Sequence, residues 1–131
     1  PDTTLPLEEC IKNYGDRLKK LFNDKGNGHP DIVTLGLGPD GHIASLFPPV
    51  VAAGFQKDPV VIHTTTTQFA VFDRITITMP YITQATHQVF FMKGQDKLDV
   101  WNNMLSSEGN HERWPAHDVI GTGHTTLIIA S

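Results

Sequence analysis

Hydrophobic residues recur along this chain with two different periods, and these periods predict its helices and strands. Near the amino terminus, apolar residues repeat at three- and four-residue steps across residues 7–22. This spacing is typical of an amphipathic helix of about four turns. Residues 95–105 repeat in the same way and predict a second such helix. Short helical segments are also expected at 81–86 and 115–120.

Shorter apolar or alternating runs predict the strands. Five segments qualify: residues 32–37, 60–63, 74–79, 87–92 and 125–130. Residues 32–37 and 87–92 are almost continuously apolar, as in buried strands, whereas residues 74–79 alternate, as in a half-exposed antiparallel strand. Helices and strands that alternate along a chain predict an α/β fold, with a layered, mostly parallel sheet flanked by helices.

A cluster of glycines follows the first predicted strand. Gly36, Gly38 and Gly41 lie within six residues, and residues 43–47 then show helical spacing before two prolines. We therefore expect a tight turn followed by a short helix. A strand, a turn and a helix in this order place polar groups at the carboxyl end of a sheet, where open α/β folds bind ligands.

His42, directly after these glycines, is the strongest candidate for chemistry. Histidine is the residue type whose ordinary pKa suits proton transfer near neutrality. Asp40 is two residues away and could orient the imidazole. Backbone amides around Gly38 and Gly41, free at the start of the predicted helix, could stabilise a developing negative oxygen. The alternative is that the glycines only form a turn and that His42 is a surface histidine.

The same glycines also satisfy the pattern G-x-G-x-x-G, which is typical of dinucleotide binding when it opens a long helix. Here Pro48 and Pro49 cut the predicted helix short, so its amino end is a poor cradle for pyrophosphate. The acidic residue about twenty positions on, Asp58, precedes a strand and is at the wrong end to hold a ribose. The sequence therefore disfavours a dinucleotide.

Composition mainly excludes classes of function. The chain has 131 residues and a net charge of −4, which fits one domain and argues against nucleic acid as a partner. No apolar run approaches the roughly 20 residues of a membrane span. The single Cys10 excludes a disulfide within the chain and predicts a small buried residue in a reducing, cytoplasmic protein. We expect no cofactor and no metal, because five further histidines lack metal-ligand spacing: His63, His87, His111, His117 and His124.

Residues 36–48, Gly-Leu-Gly-Pro-Asp-Gly-His-Ile-Ala-Ser-Leu-Phe-Pro, closely resemble the signature of 6-phosphogluconolactonases, within the glucosamine-6-phosphate isomerase/deaminase superfamily. Further segments resemble the family in order, at 74–80, 90–97 and 114–116. The resemblance covers most of the chain and implies a Rossmann-like (NagB/RpiA-like) sheet. It implies a hydrolase that converts 6-phosphogluconolactone to 6-phosphogluconate in the pentose phosphate pathway.

The superfamily contains two chemistries, and Phe47 bears on which one applies. In the deaminase branch the histidine motif continues as Ala-Phe-Asn-Glu-Pro, and its glutamate transfers protons during isomerisation. Phe47 occupies that position here and cannot move a proton. The resemblance therefore favours ester hydrolysis. A sugar-phosphate isomerase or deaminase, and a non-catalytic sugar-phosphate-binding module, are the alternatives.

The resemblance also implies roles for side chains. His42 would be the general base on water, supported by Asp40. Lys97 matches the family's phosphate-contacting lysine, and Lys93 is a weaker second choice. Arg74 either reaches the substrate or braces the sheet. Three aromatic residues are expected in the core: Phe90, Phe91 and Trp101.

Members of this family are longer than this chain, and their earlier half carries a glycine-rich phosphate loop and an acidic-arginine segment. The resemblance therefore implies a carboxyl-terminal half whose sheet is incomplete and leaves an apolar edge exposed. The expected partners are a phosphorylated sugar lactone and the missing amino-terminal half of the same protein, present as a separate chain or lost to cleavage. Alone, this chain is expected to be aggregation-prone and weakly active.

Overall fold

The computed structural model describes residues 1–25 and 27–130. Its elements follow one another along the chain, and their bounds are these: α1 (Leu7–Lys25), β1 (Ile32–Leu35), a 3₁₀ turn (Ala52–Phe55), β2 (Val61–Thr65), β3 (Asp73–Ile77), α2 (Met79–Thr83), β4 (His87–Lys93), α3 (Gln95–Ser106), α4 (Ala116–Ile120) and β5 (Thr125–Ala130). Each predicted strand and long helix is confirmed to within a few residues. No helix in the described ranges is long and apolar enough to cross a membrane.

Three strands form a parallel sheet in the order β1-β4-β5. Leu35 of β1 lies opposite Phe90 of β4, which in turn lies opposite Leu127 of β5. Parallel neighbours need long crossover connections. The connection from β1 to β4 contains β2, β3 and α2, and the connection from β4 to β5 contains α3 and α4. The predicted α/β fold with a parallel sheet and flanking helices is therefore confirmed.

The second sheet is an antiparallel hairpin of β2 and β3, as the alternation in residues 74–79 predicts. The apolar stripe of α1 packs against this hairpin, where Val60, Val61 and Tyr81 form a small core with Ile11 and Tyr14. Cys10 is also buried on this helix and is a free thiol, as expected. The first helix is therefore held by the hairpin rather than by the parallel sheet.

One face of the parallel sheet carries the main core. Phe90 is fully buried at its centre, and its ring lies 5.1 Å from that of Trp101 on α3. Burying a side chain of this size contributes about 1.5–3 kcal/mol. The same cluster includes residues from the glycine segment, from α2 and from α4: Leu37, Ile43, Leu46, Ile82, Trp114 and Val119.

The opposite face of the parallel sheet is exposed. Ile32, Phe91 and Ile128 alternate away from the core and are 61%, 52% and 44% exposed. The prediction that Phe91 is a core residue is therefore wrong, whereas Phe90 and Trp101 are buried as predicted. The strand predicted at 32–37 does form, at Ile32–Leu35, but the prediction that it is buried is wrong. The strand lies at the sheet edge, where only one of its two faces is covered within the described residues.

The short helix predicted at 43–47 is not formed. Ile43 and Leu46 make an isolated antiparallel bridge, in which the Leu46 amide donates to the Ile43 carbonyl at 2.9 Å. Ala44, between them, has a φ of 50°, in the left-handed region that α-helices of L-residues avoid. Contacts with the β2–β3 hairpin override the helical spacing of these residues.

A buried glutamine joins α2 to the central strand. Gln88 of β4 is fully buried, and its Nε2 donates to the carbonyls of Ile82 and Ala85 at 3.1 and 2.9 Å. Its Oε1 accepts from the Thr122 hydroxyl at 3.1 Å. The Ala85 amide reaches the Ile82 carbonyl only at 3.4 Å. The Gln88 amide therefore supplies a closer donor to carbonyls that would be costly to bury unpaired.

Replacing this amide should destabilise the fold. We expect Gln88→Leu to lower the free energy of unfolding by at least about 2 kcal/mol, because buried carbonyls lose their donor. Urea denaturation measures the change. The matched control is Gln84→Leu, an exposed glutamine at the end of the same helix, which should change the stability little. Equal stability of Gln88→Leu and the parent protein would contradict this role.

Candidate active site

Asp40 and His42 form a hydrogen-bonded pair within the glycine turn. Nδ1 of His42 lies 2.5 Å from Oδ1 of Asp40, and the backbone amide of His42 donates to the same oxygen at 3.2 Å. A carboxylate only accepts hydrogen bonds, so Nδ1 carries the hydrogen and Nε2 of the neutral ring is the nitrogen that can take a proton. The side chains are 19% and 13% exposed, so the pair is shielded but reachable. The structure brings these two predicted residues together.

Gly38 is required by the position of the imidazole. A Cβ built at residue 38 would lie 2.1 Å from Nδ1 of His42, which real contacts do not allow. The Gly38 amide also donates to the His42 carbonyl at 2.8 Å and closes the turn. Any side chain at this position would displace the ring from Asp40.

Gly41 is required for a different reason. Its φ is 90°, which L-residues rarely adopt, and a Cβ there would lie 2.6 Å from the ring of Trp114. Arg113 stacks over that ring at 3.8 Å and donates from Nη1 to the Asp40 carbonyl at 2.7 Å. Arg113 and Trp114, in the segment before α4, therefore pack against the turn and support it.

The amides of Gly38 and Gly41 are already used within the turn. Gly41 donates to the Gly38 carbonyl at 3.0 Å, and Gly38 donates to His42. The helix start that would have left them free does not exist. An oxyanion role for either amide, which stays a prediction, would require the turn to rearrange.

The hairpin holds the chain that follows His42. The Thr76 hydroxyl accepts a hydrogen bond from the Ser45 amide at 3.2 Å, and the Thr64 hydroxyl donates to the Ser45 carbonyl at 2.9 Å. Both threonines are buried. Buried hydroxyls need partners, so β2, β3 and the turn are fixed in one arrangement. The alternation of residues 74–79 predicts that Thr76 lies on a solvent-exposed face, but that face packs against the turn.

His42 and Lys97 line one cavity of about 390 Å³. Lys97 lies in the first turn of α3, and its Nζ donates to the Leu37 carbonyl at 2.5 Å. An ammonium has three donors, so two remain for a ligand. Gly36 and Gly38 also line this cavity. A proton acceptor and a cation therefore face the same space, although 55 residues separate them in the sequence.

The other predicted cations lie elsewhere. Arg74 is on β3, where its Nε donates to the Val71 carbonyl at 3.2 Å, so it braces the loop between β2 and β3. Lys93 is an exposed residue at the end of β4. A substrate contact by Arg74 stays a prediction.

Three of the other histidines make local side-chain contacts. His63 pairs with Asp73 at 2.9 Å, His111 pairs with Asp118, and His117 contacts the Met104 carbonyl at 3.1 Å. Within residues 1–25 and 27–130, no three His, Cys, Asp or Glu side chains are grouped as metal ligands would be.

Two aromatic rings enclose the imidazole. Phe47 lies 4.7 Å from His42 between ring centroids, and Phe69 meets it edge-on at 5.2 Å. Sequence reasoning identified Phe47 only as a substitution for glutamate, and it missed Phe69 and Arg113. No local pattern marks Phe69, because it lies in the hairpin loop and reaches His42 only through the fold.

Chemically, this arrangement can accept a proton at Nε2 of His42 and bind an anion at Lys97. The Asp40 carboxylate would stabilise the imidazolium that forms. Oδ2 of Asp40 is buried and has no hydrogen-bond partner in the described part of the chain, which is unusual outside functional sites.

Comparison with known proteins shows the family to which the chain is similar. The family model described as "Glucosamine-6-phosphate isomerases/6-phosphogluconolactonase" matches residues 1–128. A Dictyostelium discoideum protein named "Probable 6-phosphogluconolactonase" is 50% identical over 128 residues, which are 98% of this chain and 54% of that protein. The Homo sapiens 6-phosphogluconolactonase is 31% identical over 108 residues, which are 79% of this chain and 40% of the human protein.

Solved structures give the same result. The 6-phosphogluconolactonase from Plasmodium vivax superposes with a TM-score of 0.84 at 29% identity, over 99% of this chain and 54% of that one. The chain thus spans about half the length of the relatives it matches. The match to the family model over residues 1–128 confirms the family indicated by the histidine motif, and the chain belongs to the glucosamine-6-phosphate isomerase/6-phosphogluconolactonase family.

Proposed function

We propose that the protein containing this chain is a hydrolase that opens 6-phosphogluconolactone to 6-phosphogluconate. The observation that carries the proposal is the Asp40–His42 pair, which leaves Nε2 of His42 unpaired within the described residues, together with the cavity that His42 and Lys97 both line. The family and the names of the relatives support the same substrate.

His42 is the general base of the proposed reaction. Nε2 takes a proton from water as the water oxygen attacks the lactone carbonyl carbon. The tetrahedral intermediate then collapses, the bond from that carbon to the ring oxygen breaks, and the imidazolium returns the proton to the ring oxygen. Asp40 holds the ring and offsets its transient positive charge. The acid that forms ionises, so each turnover releases one proton to solvent.

Lys97 binds the phosphate in this scheme. Its Nζ lies in the cavity at the first turn of α3, where a cation and the free amides of a helix start act on an anion together. The phosphate would anchor one end of the substrate at Lys97, and the ester would face the imidazole that lines the same cavity.

Phe47 supports hydrolysis over isomerisation. Its ring is in contact with His42, at the sequence position where the deaminase branch carries a proton-transferring glutamate. Among the described residues, the carboxylate that contacts His42 is that of Asp40, which already holds Nδ1.

The first test is a lactone hydrolysis assay by proton release, with the spontaneous rate subtracted. We expect His42→Ala to lower turnover by roughly 10²–10⁴-fold, because the base on water is lost. His124→Ala, at an exposed histidine, is the control and should keep the parent rate. Undiminished hydrolysis by His42→Ala would refute the assignment. Conversion of glucosamine 6-phosphate would indicate the isomerase or deaminase alternative, and thermal stabilisation by 6-phosphogluconate without turnover would indicate a binding module.

The second test addresses the phosphate. We expect Lys97→Met to reduce kcat/KM for the phosphorylated lactone by roughly 10–10²-fold, the usual effect of losing a charged hydrogen bond. Hydrolysis of the unphosphorylated gluconolactone should be unchanged in the same variant, because that substrate has no phosphate to bind. An equal loss on both lactones would show that Lys97 acts on the fold or on catalysis instead.

We also propose that the amino-terminal half of the family fold covers the exposed face of the parallel sheet, as part of the same protein. Parallel sheets are normally buried on both faces, and here Ile32, Phe91 and Ile128 are exposed on one face beside the free edge of β1. A reducing, cytoplasmic location also stays a proposal, supported by the free thiol of Cys10.

This partner is testable with the 131-residue chain alone. We expect it to bind an apolar dye such as ANS and to self-associate, and we expect the amino-terminal half of the Dictyostelium relative, added as a separate polypeptide, to suppress both. A monomeric chain that binds no dye and hydrolyses lactone at full rate would contradict the proposal.

A further inference from the structure

We propose that Phe69 is a positioning residue, which fixes the orientation of the His42 imidazole from the side that Asp40 does not hold. This inference rests on the proposed function, because it concerns how Nε2 of His42 is aimed. It assigns a role to the loop between β2 and β3, which reaches the site across the fold.

The hydrogen bond to Asp40 constrains His42 at one atom only. It fixes Nδ1 at 2.5 Å from Oδ1 but leaves the ring free to swing about that contact. Gly38 lies against Nδ1, Cε1 and Cγ of the ring, and its lack of a Cβ allows this close approach. Asp40 and Gly38 therefore set where the ring is, and a further contact is needed to set where Nε2 points.

Two phenyl rings supply that contact. Phe47 is tilted by 56° to the imidazole at 4.7 Å, and Phe69 meets it at 75° and 5.2 Å. The two phenyl rings lie 5.8 Å apart, so each limits the movement of the other. Edge-to-face and tilted pairs at these distances are favoured geometries, which makes the resting orientation a defined one.

Phe69 is delivered by a loop whose shape is fixed by its own hydrogen bonds. The Thr66 amide donates to the Phe72 carbonyl at 3.1 Å, and the Gln68 amide donates to the Thr66 hydroxyl at 3.2 Å. Arg74 holds the other end of the loop at the Val71 carbonyl. Arg74 therefore supports the loop that carries Phe69.

Phe69 is less exposed than its large apolar neighbours in the same loop. Val71 and Phe72, in the same loop, are 55% and 57% exposed. Phe69 is half-buried and reaches both His42 and Phe47. A loop of three large apolar residues thus places one of them against the imidazole and leaves the other two in solvent.

The test compares three variants of the intact protein. Phe69→Leu keeps an apolar side chain but removes the ring, Phe69→Tyr keeps the ring, and Phe72→Leu makes the same change at the exposed position of the loop. Because a small displacement of a catalytic group is costly, we expect Phe69→Leu to lower kcat for lactone hydrolysis roughly tenfold or more, with KM within about twofold of the parent. Phe69→Tyr and Phe72→Leu should each keep the kcat of the parent protein.

An NMR measurement tests the positioning role of Phe69 independently of the proposed lactonase function. Phenyl rings shift the NMR signals of the His42 ring protons, so Phe69→Leu should move these signals and Phe69→Tyr should return them toward the parent values. If the parent protein hydrolyses the lactone and Phe69→Leu has an unchanged kcat, the inference is wrong and the function stands. Equal losses in Phe69→Leu and Phe72→Leu would also overturn it, since they would indicate damage to the loop. If the parent protein hydrolyses no lactone, the proposed function fails. Unchanged His42 ring signals in Phe69→Leu would contradict the contact between Phe69 and His42.

Discussion

The hydrogen bond between Asp40 and His42 is the constraint on which the rest of this site depends. It selects one tautomer of the imidazole, and it holds the ring at a position where a Cβ on residue 38 would lie 2.1 Å from Nδ1. The turn that permits it is supported from three directions: by Trp114 under Gly41, by Arg113 on the Asp40 carbonyl, and by the hairpin threonines on Ser45. These contacts hold the backbone of the turn that carries the imidazole.

The sequence predicted most of the elements, because their hydrophobic periods are long and clear. It failed where tertiary contacts decide the conformation. Residues 43–47 have the spacing of a helix, but Ala44 adopts a positive φ because the hairpin fixes Ser45 beside it. Phe91 has the composition of a core residue, but the strand alternates and only one face of the sheet is covered in the described residues.

The same division applies to the site. His42, Asp40 and Lys97 could be named from a motif and a family resemblance, and the structure brings His42 and Lys97 to one cavity. Phe69 and Arg113 could not be named, because neither has a local pattern and each reaches the turn only through the fold. Periodicity predicts what a segment will form, whereas contacts between distant segments depend on how the segments are arranged.

The contact between Arg113 and Asp40 joins residues 73 positions apart, and Lys97 reaches Leu37 across 60. Interactions between such distant positions require long loops to close, and they form late relative to local structure. A nascent polypeptide that has grown only past the central strand already contains the histidine and its aspartate. It still lacks the arginine, the tryptophan and the lysine. The full set of contacts around the turn can therefore form only after α3 and the segment before α4 have been synthesised.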